Sequence, residues 1–398
     1  MTPARRDPSR PLTVAHLTTV DQSLWFLLLA QLRSVRDLGG TAIGISAPGP
    51  WVEELEAEGI RHVPLHSSTR ANDPLADLRA ARELAQVLAR EQVDVLHTHN
   101  PKPGLYGRVV GRLRRVPVVV NTVHGLYATE DDRWAKRALV YSLEAIASRF
   151  SDAELVQNPE DLALMHRLHL SPKAKLLGNG VDLTRFDATR FSADARRALR
   201  AYFGADDDTV VVGTVGRLVA EKGYPELIEA FLGLPDRDRY RLVVAGGADR
   251  DKPDALDPHL LARAEAEGVQ FLGQRSDVDA LYAAMDVFVL ASHREGFPRA
   301  AMEAAATSRP VIATDVRGCR QVVDDGRNGL LVPVRDPLAL RAAIAALGTD
   351  RERRTRMGEQ SWVVAKERFD ERRVVEIVLE AYARVARRKG ITLPGLTA

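Results

Sequence analysis

Short apolar runs alternate with amphipathic stretches along most of the chain. The runs are rich in Val, Ile and Leu, which is typical of parallel strands that are buried on both faces. Strands that alternate with helices predict an α/β fold in which helices cover both faces of a parallel sheet. The predicted strands fall into two sets, at 13–17, 41–46, 95–96, 118–123 and 153–156, and at 210–215, 241–245, 269–272, 287–290 and 311–314.

The chain is long enough for two domains, because 398 residues exceed the usual size of one hydrophobic core. Helices are predicted between the strands at 24–38, 76–90, 134–149, 225–232, 279–285 and 299–308. Gly178 and Gly180 predict a turn or hinge, so we place the boundary at Asp182. The predicted domains are 1–182 and 183–370, followed by a C-terminal segment, 371–398, whose helix would cross back to the first domain.

Composition and charge narrow the class of protein. The net charge is +2 and both signs are spread over the two halves, so a nucleic-acid-binding protein is not expected. The single cysteine, Cys319, fits a reducing compartment and is expected to be a buried apolar side chain. The polar N-terminal residues do not resemble a signal peptide, and no apolar run reaches the roughly 20 residues that cross a bilayer, so a cytoplasmic location is expected.

Two carboxylates, Glu295 and Glu303, are the most informative feature of the sequence. The first lies on a predicted strand-to-helix loop, and the second lies about one turn inside the helix that Pro298 can open. At about 1.5 Å per residue the two groups are expected about 10 Å apart, whereas a retaining glycosidase pair needs about 5 Å. The spacing suits an elongated ligand with hydroxyls at both ends and a diphosphate near Gly296, where backbone amides and a helix N-terminus favour an anion.

Arg217 and Lys222 follow the first strand of the second set. A planar guanidinium and a flexible ammonium on such a loop can bind phosphate, and open parallel sheets bind ligands at the carboxyl ends of their strands. In the first half, His124 ends a predicted strand. It is a candidate for contact with a sugar hydroxyl or a leaving phosphate, and a structural histidine is the alternative.

Three other groups of residues each have an ordinary and a functional interpretation. His97 and His99 have a spacing that suits a metal, but no carboxylate or cysteine accompanies them, so a metal is not predicted. Asp277 and Asp279 are predicted to cap a helix rather than to bind a cation. A basic region is either a solvated surface or a contact with an anionic membrane or lipid phosphate. Its members are Arg108, Arg112, Arg114, Arg115, Trp134, Lys136 and Arg137.

Four segments, in this order and spacing, resemble the family-4 retaining glycosyltransferases of the GT-B fold. They are 178–182 (Gly-Asn-Gly-Val-Asp), 215–223 (Val-Gly-Arg…Glu-Lys-Gly), 295–303 (Glu-Gly-Phe-Pro…Glu) and 326–333 (Gly-Arg-Asn-Gly-Leu-Leu-Val-Pro). Within that family, three further segments, 16–21, 97–104 and 122–125, are most similar to the capsular and exopolysaccharide transferases. The resemblance implies two Rossmann-like domains whose parallel sheets face each other across a cleft. The chain departs from the family after the first strand, where residues 18–21 replace the usual glycine-rich loop.

The resemblance also implies roles for individual residues. Glu295 would contact donor sugar hydroxyls, Glu303 the ribose, and Arg217 and Lys222 the diphosphate, with His124 near the donor sugar. The backbone of Gly296, Phe297 and Pro298 would line the diphosphate, and Gln274 and Arg275 would lie near the base. No metal or other cofactor is expected, because protein cations would stabilise the leaving group.

The implied reaction is transfer of a sugar, with retention, from a nucleotide sugar to a glycan, lipid-linked or small-molecule acceptor. A uridine diphosphate sugar is the expected donor, and polysaccharide or glycoconjugate biosynthesis is the expected process. Two alternatives remain: a sugar-nucleotide epimerase on the same architecture, and a non-catalytic protein that binds a nucleotide sugar within a polysaccharide assembly complex. Peripheral contact with the inner face of the membrane is also left open.

Overall fold

The computed structural model describes residues 10–71, 73–99, 101–128, 132–247 and 255–396. It has two compact units: the first comprises the chain up to Gly178 and again from Arg372, and the second comprises Asn179–Glu371. The predicted boundary residue, Asp182, therefore lies inside the second unit. The C-terminal segment belongs to the first unit.

The first unit contains a seven-stranded parallel sheet with the strand order β3-β2-β1-β4-β5-β6-β7. Its strands are β1 (Thr13–Val20), β2 (Thr41–Ala47), β3 (Arg61–Pro64), β4 (Val95–His99), β5 (Val118–Val123), β6 (Ala153–Val156) and β7 (Ala174–Leu176). Its helices are α1 (Asp21–Asp37), α2 (Val52–Ala57), α3 (Pro74–Arg90), α4 (Pro101–Leu113), α5 (Trp134–Ser148), α6 (Pro159–Arg167) and, from the C-terminal segment, α14 (Glu371–Lys389).

The second unit contains a six-stranded parallel sheet with the order β10-β9-β8-β11-β12-β13. Its strands are β8 (Val210–Val215), β9 (Tyr240–Ala245), β10 (Gln270–Phe271), β11 (Val287–Leu290), β12 (Val311–Thr314) and β13 (Gly329–Val332). Its helices are α7 (Ala193–Tyr202), α8 (Tyr224–Leu232), α9 (Pro258–Ala266), α10 (Val278–Ala284), α11 (Arg299–Ala306), α12 (Pro337–Thr349) and α13 (Arg351–Arg368). The α/β class with two parallel sheets is confirmed.

Several helices begin where the local sequence supplies a cap. The Asp73 carboxylate accepts from the amides of Leu75 and Ala76, and Pro74 occupies the first turn of α3. Asp336 does the same for α12, where its carboxylate accepts from the Ala339 amide. Such side chains satisfy amides that a helix start leaves without partners, and proline there removes an amide that has none.

Each sheet has a point where its strand order reverses direction: between β1 and β4 in the first unit, and between β8 and β11 in the second. Open α/β sheets bind ligands outside the carboxyl ends of the strands at such a switch point. The loops after β8 and β11 are those that carry Lys222 and Glu295. The strands behind them are buried, so the loops rest on a rigid core.

The C-terminal helix α14 completes the core of the first unit. Its apolar side chains Val374, Val378 and Val385 belong to the cluster that contains Leu12 and Val14 of the first strand region. Among the described residues, none of the helices is both long and apolar enough to cross a bilayer.

Candidate active site

The loops after β8 and β11 are held together by a close backbone approach at Gly223. This glycine has φ +69°, and a Cβ atom there would lie 2.0 Å from the carbonyl oxygen of Ala291. The left-handed conformation and the lack of space both exclude a side chain. The residue next to it, Lys222, ends a single 3-10 turn and is thereby directed to the β11 loop.

Lys222 and Glu295 form an ion pair across these two loops. The Nζ atom lies 2.6 Å from Oε1 of Glu295, and the same oxygen accepts a hydrogen bond from the Ser292 hydroxyl at 2.7 Å. The Lys222 side chain is 24% exposed and that of Glu295 is 11% exposed. The structure thus brings together two residues that the sequence predicted as one functional group. It adds Ser292, which sequence reasoning missed.

Arg217 lies directly after β8, half-buried, and shares a neighbour with Glu295. That neighbour is Tyr224, whose buried hydroxyl donates to the carbonyl of Gly216 at 2.7 Å. Burial raises the pKa of Tyr224, and the Glu295 carboxylate adds to the increase while Arg217 opposes it. Arg217, Lys222 and Glu295 therefore surround the same end of the sheet. The chemical result is a half-buried patch with two cations and one carboxylate.

Glu303 lies in α11, nearly buried, and its two oxygens have separate partners. Arg299 donates from Nε to Oε1 at 2.8 Å, and the Tyr282 hydroxyl donates to Oε2 at 3.1 Å. Burial raises the pKa of Tyr282 well above its usual range, and the Glu303 charge raises it further. A carboxylate has about four acceptor positions, so these two bonds leave room for a ligand hydroxyl.

The segment from Gly296 to Pro298 leads into α11. Phe297 packs edge-on against Phe369 with ring centroids 6.1 Å apart, and its carbonyl accepts from the Asn179 amide at 3.4 Å. Pro298 is the N-cap residue, and within the described residues no side chain caps the first turn of α11. The first amides of a helix attract anions, as the prediction of a nearby diphosphate requires.

Gln274 and Arg275 lie exposed on the loop after β10, away from the Lys222–Glu295 pair in the strand order. A Cβ atom at Gly247 would lie 3.5 Å from Oε1 of Gln274, so this side chain covers the loop after β9. Arg275 forms a two-point ion pair with Asp277, at 2.8 Å from Nε and 2.6 Å from Nη2.

This pair corrects the prediction that Asp277 and Asp279 cap a helix. Asp277 is the N-cap residue of α10, but its side chain makes no capping bond because both carboxylate oxygens bind Arg275. Asp279 lies inside the first turn, 3.5 Å from Arg185 and 3.4 Å from Arg190. Strong guanidinium partners compete successfully with the helix amides at both positions.

His124 lies after β5 with both ring nitrogens engaged inside the first unit. Nδ1 is 3.2 Å from Oε1 of Gln157, and Nε2 is 3.0 Å from Nδ1 of His99. Burial lowers the pKa of His124 to about 4, and the bond to Gln157 opposes part of that shift. The ring is therefore neutral at pH 7. Gln157 was not among the predicted site residues, because no local motif marks it, and His99 was considered only as a metal ligand.

His97 and His99 have a third histidine beside them. His16 of β1 completes a buried group whose candidate ligand nitrogens lie within 4.8 Å of one another, the kind of group that can hold a metal ion. Burial lowers the pKa of His16 to about 3 and those of His97 and His99 well below their usual value. Every one of these rings also makes a hydrogen bond to a neighbouring ring or hydroxyl.

The predicted basic surface is partly wrong. Arg108 is 1% exposed and binds the carboxylates of Glu144, at 2.7 Å, and Glu154, at 3.0 Å. It is therefore an internal ion pair, because its position on α4 faces α5 and β6. Arg112 is 39% exposed and pairs with Asp152 at 2.8 Å. Cys319 is fully buried, as predicted, and burial raises the pKa of its thiol.

Two family models match the chain. The model described as "Glycosyl transferase 4-like domain" matches residues 10–180, and the model described as "Glycosyl transferases group 1" matches residues 195–362. UDP-Gal:alpha-D-GlcNAc-diphosphoundecaprenol alpha-1,3-galactosyltransferase of Escherichia coli is 30% identical over 298 residues, 72% of this chain and 74% of that protein. The capsular polysaccharide biosynthesis glycosyltransferase CapM of Staphylococcus aureus is 26% identical over 376 residues, 93% of this chain and 96% of that protein.

Among solved structures, HepE of Anabaena in complex with UDP and glucose superimposes with a TM-score of 0.78 at 21% identity, covering 94% of this chain and 100% of that one. This likeness supports the two-sheet fold. The chain belongs to the family-4 glycosyltransferases of the GT-B fold. The predicted resemblance, including the resemblance to capsular polysaccharide enzymes, is thereby confirmed.

Proposed function

We propose that the protein is a retaining glycosyltransferase that transfers a sugar from a UDP-sugar to a lipid-linked or glycan acceptor in polysaccharide biosynthesis. The observation that carries the proposal is the half-buried group of Arg217, Lys222 and Glu295 at the switch point of the second sheet. The names of relatives support the donor and acceptor classes, since one uses UDP-galactose and a diphosphoundecaprenol acceptor. The HepE structure holds UDP in the same fold.

In the proposed complex, the donor diphosphate replaces Glu295 as the ion-pair partner of Lys222. The ammonium and the Arg217 guanidinium then face the charge that develops on the leaving phosphate, which is the kind of electrostatic stabilisation that contributes most to many enzymes. Glu295 keeps its bond to Ser292 and accepts from a donor sugar hydroxyl. Because two protein cations supply the positive charge, the proposed mechanism uses no metal.

Retention follows if the acceptor attacks the face from which the diphosphate leaves. The bond between the anomeric carbon and the diphosphate oxygen breaks with its electron pair on the phosphate. A bond forms between the same carbon and the acceptor oxygen, and the acceptor proton passes to the departing phosphate. Glu303 would bind the ribose, the backbone of Gly296 to Pro298 would contact the diphosphate, and Gln274 and Arg275 would contact the base. His124 would donate an N–H to the donor.

A thermal-shift screen of nucleotide sugars, followed by a transfer assay, tests this proposal. A ligand that binds the folded state at about 100 times its dissociation constant adds about 2.7 kcal/mol of stability. We expect UDP-sugars to raise the melting temperature and GDP-mannose to have little effect. Glu295→Gln should keep the UDP-induced shift and lose transfer, because the uridine and diphosphate contacts remain.

Three outcomes would contradict the proposal. Wild-type transfer by Glu295→Gln would remove the carboxylate from the reaction. Conversion of the donor in the absence of any acceptor would favour an epimerase. Stabilisation by UDP-sugars without release of UDP, over a set of glycan and undecaprenyl diphosphate-linked acceptors, would favour the non-catalytic binding protein.

Helix α5 supports the proposed contact with a membrane surface, where a lipid-linked acceptor would be found. It exposes large apolar side chains on one face, where Leu139 is 61% exposed, Leu143 is 38% exposed and Ile146 is 51% exposed, and Trp134 at its first turn is 79% exposed. Arg133 and Arg149, at its two ends, are exposed as well. An apolar helix face with cations at its edges is suited to the interface of an anionic bilayer.

Vesicle sedimentation tests this contact. We expect the protein to sediment with vesicles that contain phosphatidylglycerol, less with neutral phosphatidylcholine vesicles, and weakly after Trp134→Ser with Leu139→Ser. The matched control is Leu75→Ser, since Leu75 is 67% exposed in the same unit but lies on α3. Equal sedimentation of the α5 double variant and the control would show that α5 does not bind the bilayer.

A further inference from the structure

Four histidine rings of the first unit are joined with Tyr382 into one hydrogen-bonded chain. The rings come from β1, β4 and the end of β5, and the tyrosine comes from α14. From one end to the other, the contacts are Gln157 Oε1 to His124 Nδ1 at 3.2 Å, His124 Nε2 to His99 Nδ1 at 3.0 Å, His99 Nε2 to His16 Nδ1 at 2.9 Å, His16 Nε2 to the Tyr382 hydroxyl at 3.4 Å, that hydroxyl to His97 Nδ1 at 2.6 Å, and His97 Nε2 to Thr122 Oγ1 at 2.7 Å.

Only one donor-to-acceptor direction along this series of hydrogen bonds gives every ring nitrogen and hydroxyl a suitable partner. A neutral imidazole has one N–H and one lone pair, and an amide oxygen only accepts. Because Gln157 presents its oxygen, His124 carries its proton on Nδ1 and accepts at Nε2 from His99. His99 therefore carries its proton on Nδ1 and accepts at Nε2 from Nδ1–H of His16. Nε2 of His16 then accepts from the Tyr382 hydroxyl.

The rest of the chain follows in the same sense. The Tyr382 oxygen accepts from Nδ1–H of His97, and Nε2 of His97 accepts from the Thr122 hydroxyl. All four histidines therefore carry their proton on Nδ1. Free histidine in water favours the proton on Nε2, so this pattern is imposed by the surroundings. Burial, which lowers the pKa of each ring, keeps all four neutral.

We propose that His99, His16 and Tyr382 are positioning residues for His124, whose proton they hold on Nδ1. The inference rests on the proposed function, in which His124 donates an N–H to the sugar or diphosphate oxygen of the donor. Nδ1 bonds to Gln157 at 3.2 Å, the longest bond of the ring, so a donor oxygen can replace the amide oxygen there without a change of tautomer.

Tyr382 sets the direction of the hydrogen bonds that lead to His124. Its hydroxyl donates into the ring series that ends at His124, and donated bonds polarise those further along a chain. Without that donation, His16 no longer prefers the Nδ1 proton, and His124 is held by Gln157 alone. An Nε2-protonated ring would present a lone pair to the donor oxygen, and two acceptors repel.

Nitrogen-15 NMR of protein labelled at histidine tests the inference directly. Long-range proton–nitrogen spectra distinguish a protonated nitrogen from a lone-pair nitrogen in each ring, and single histidine substitutions assign the signals. At pH 7 we expect His16, His97, His99 and His124 as neutral rings protonated on Nδ1. Protonation on Nε2, or doubly protonated rings, would overturn the inference whatever the activity of the protein.

Paired variants test the consequence for catalysis. Tyr382→Phe should give His16 a mixed tautomer, add an Nε2-protonated population at His124, and lower kcat on the order of 10-fold with little change in KM for the donor. Tyr141→Phe is the matched control, because Tyr141 is also buried in the first unit and its hydroxyl donates to the Ala128 carbonyl, outside the hydrogen-bonded series. It should leave the His124 signals and kcat unchanged.

The two proposals fail in distinguishable ways. An unchanged kcat in Tyr382→Phe, with His16 altered, would overturn the positioning role while the donor site stands. Equal losses of kcat in Tyr382→Phe and Tyr141→Phe would also overturn it, because they would indicate a general loss of packing. Full transfer activity in His124→Ala would contradict the proposed contact of His124 with the donor and leave the NMR pattern intact.

Discussion

In the first unit the histidine rings on β1, β4 and after β5 are neutral, buried and bonded to one another, whereas in the second unit Lys222 and Glu295 are charged, half-buried and paired across two loops. His16 has no exposed surface, while the Lys222 side chain is 24% exposed. Burial without charge fixes a geometry, because each bond depends on the next. A half-buried ion pair can exchange its partner for a ligand phosphate at lower cost, since water still reaches it.

Removal of the Lys222 ammonium should cause the largest loss of transfer activity. Lys222→Ala should reduce transfer about 10²- to 10³-fold, the usual effect of removing one group that stabilises developing charge. Steady-state release of UDP with a matched acceptor measures it. The control is Lys366→Ala, an exposed lysine over the ring of Trp362 on α13, which should retain full activity. Similar activity in both variants would contradict the role of Lys222.

The approach of the two loops at Gly223 can be separated from its backbone conformation. Gly223→Ala should lower the free energy of unfolding by about 3 kcal/mol or more, because its Cβ would overlap the Ala291 carbonyl in addition to the left-handed φ. Gly273→Ala has a similar φ of +66° and open space around the Cβ, so it should cost about 1 kcal/mol. Denaturant unfolding compares them, and equal losses would show that the contact adds nothing.

Acid should destabilise the first unit through its buried, neutral histidines. Burial lowers the pKa of His16 to about 3 and that of His124 to about 4, so these rings stay neutral in the folded state while the unfolded chain takes up protons below about pH 6.5. The free energy of unfolding should therefore fall as the pH falls from 6.5, by about 1.4 kcal/mol per pH unit for each such ring.

Denaturant titrations of the wild type between pH 7.5 and 5.5 measure this slope. In His124→Gln the slope should decrease by the contribution of one histidine, because glutamine does not titrate. A slope that is the same in both proteins would show that His124 is not held neutral by the fold.

Removal of metal ions by a chelator should have the smallest effect on activity. If Arg217 and Lys222 alone stabilise the diphosphate, EDTA should leave the rate of transfer within about 2-fold. Loss of activity that Mg²⁺ or Mn²⁺ restores would contradict the metal-independent proposal. Loss that only Zn²⁺ restores would point instead to His16, His97 and His99, the described group with suitable ligand spacing.

The periodicity of apolar residues predicted the central strands well. Predictions at 118–123, 153–156, 210–215, 287–290 and 311–314 match β5, β6, β8, β11 and β12. These strands are buried on both faces, so their sequences are mostly apolar. Strands β3, β7 and β13 were not predicted. In β3 one position of four is buried, and a short edge strand of this kind carries too little apolar signal to be recognised.

The sequence also predicted one part of the candidate site and missed another. Lys222 and Glu295 were predicted as partners of one ligand because both lie in loops that follow buried strands, and the structure joins them at 2.6 Å. The partners of His124 were beyond reach, since Gln157 and Tyr382 are distant in sequence and neither belongs to a motif. Contacts of this kind depend on the order of the strands and on the return of α14, which local patterns do not contain.

The return of α14 has a consequence for the order in which the protein acquires structure during synthesis. The second unit is one continuous segment, Asn179–Glu371, and can fold as soon as that segment has left the ribosome. The first unit must wait for Arg372 and the residues after it, although most of its chain is made first. Until α14 arrives, Leu12 and Val14 lack part of their core, and the histidine rings lack the tyrosine hydroxyl. We therefore expect the nascent first unit to expose apolar surface for longer than the second.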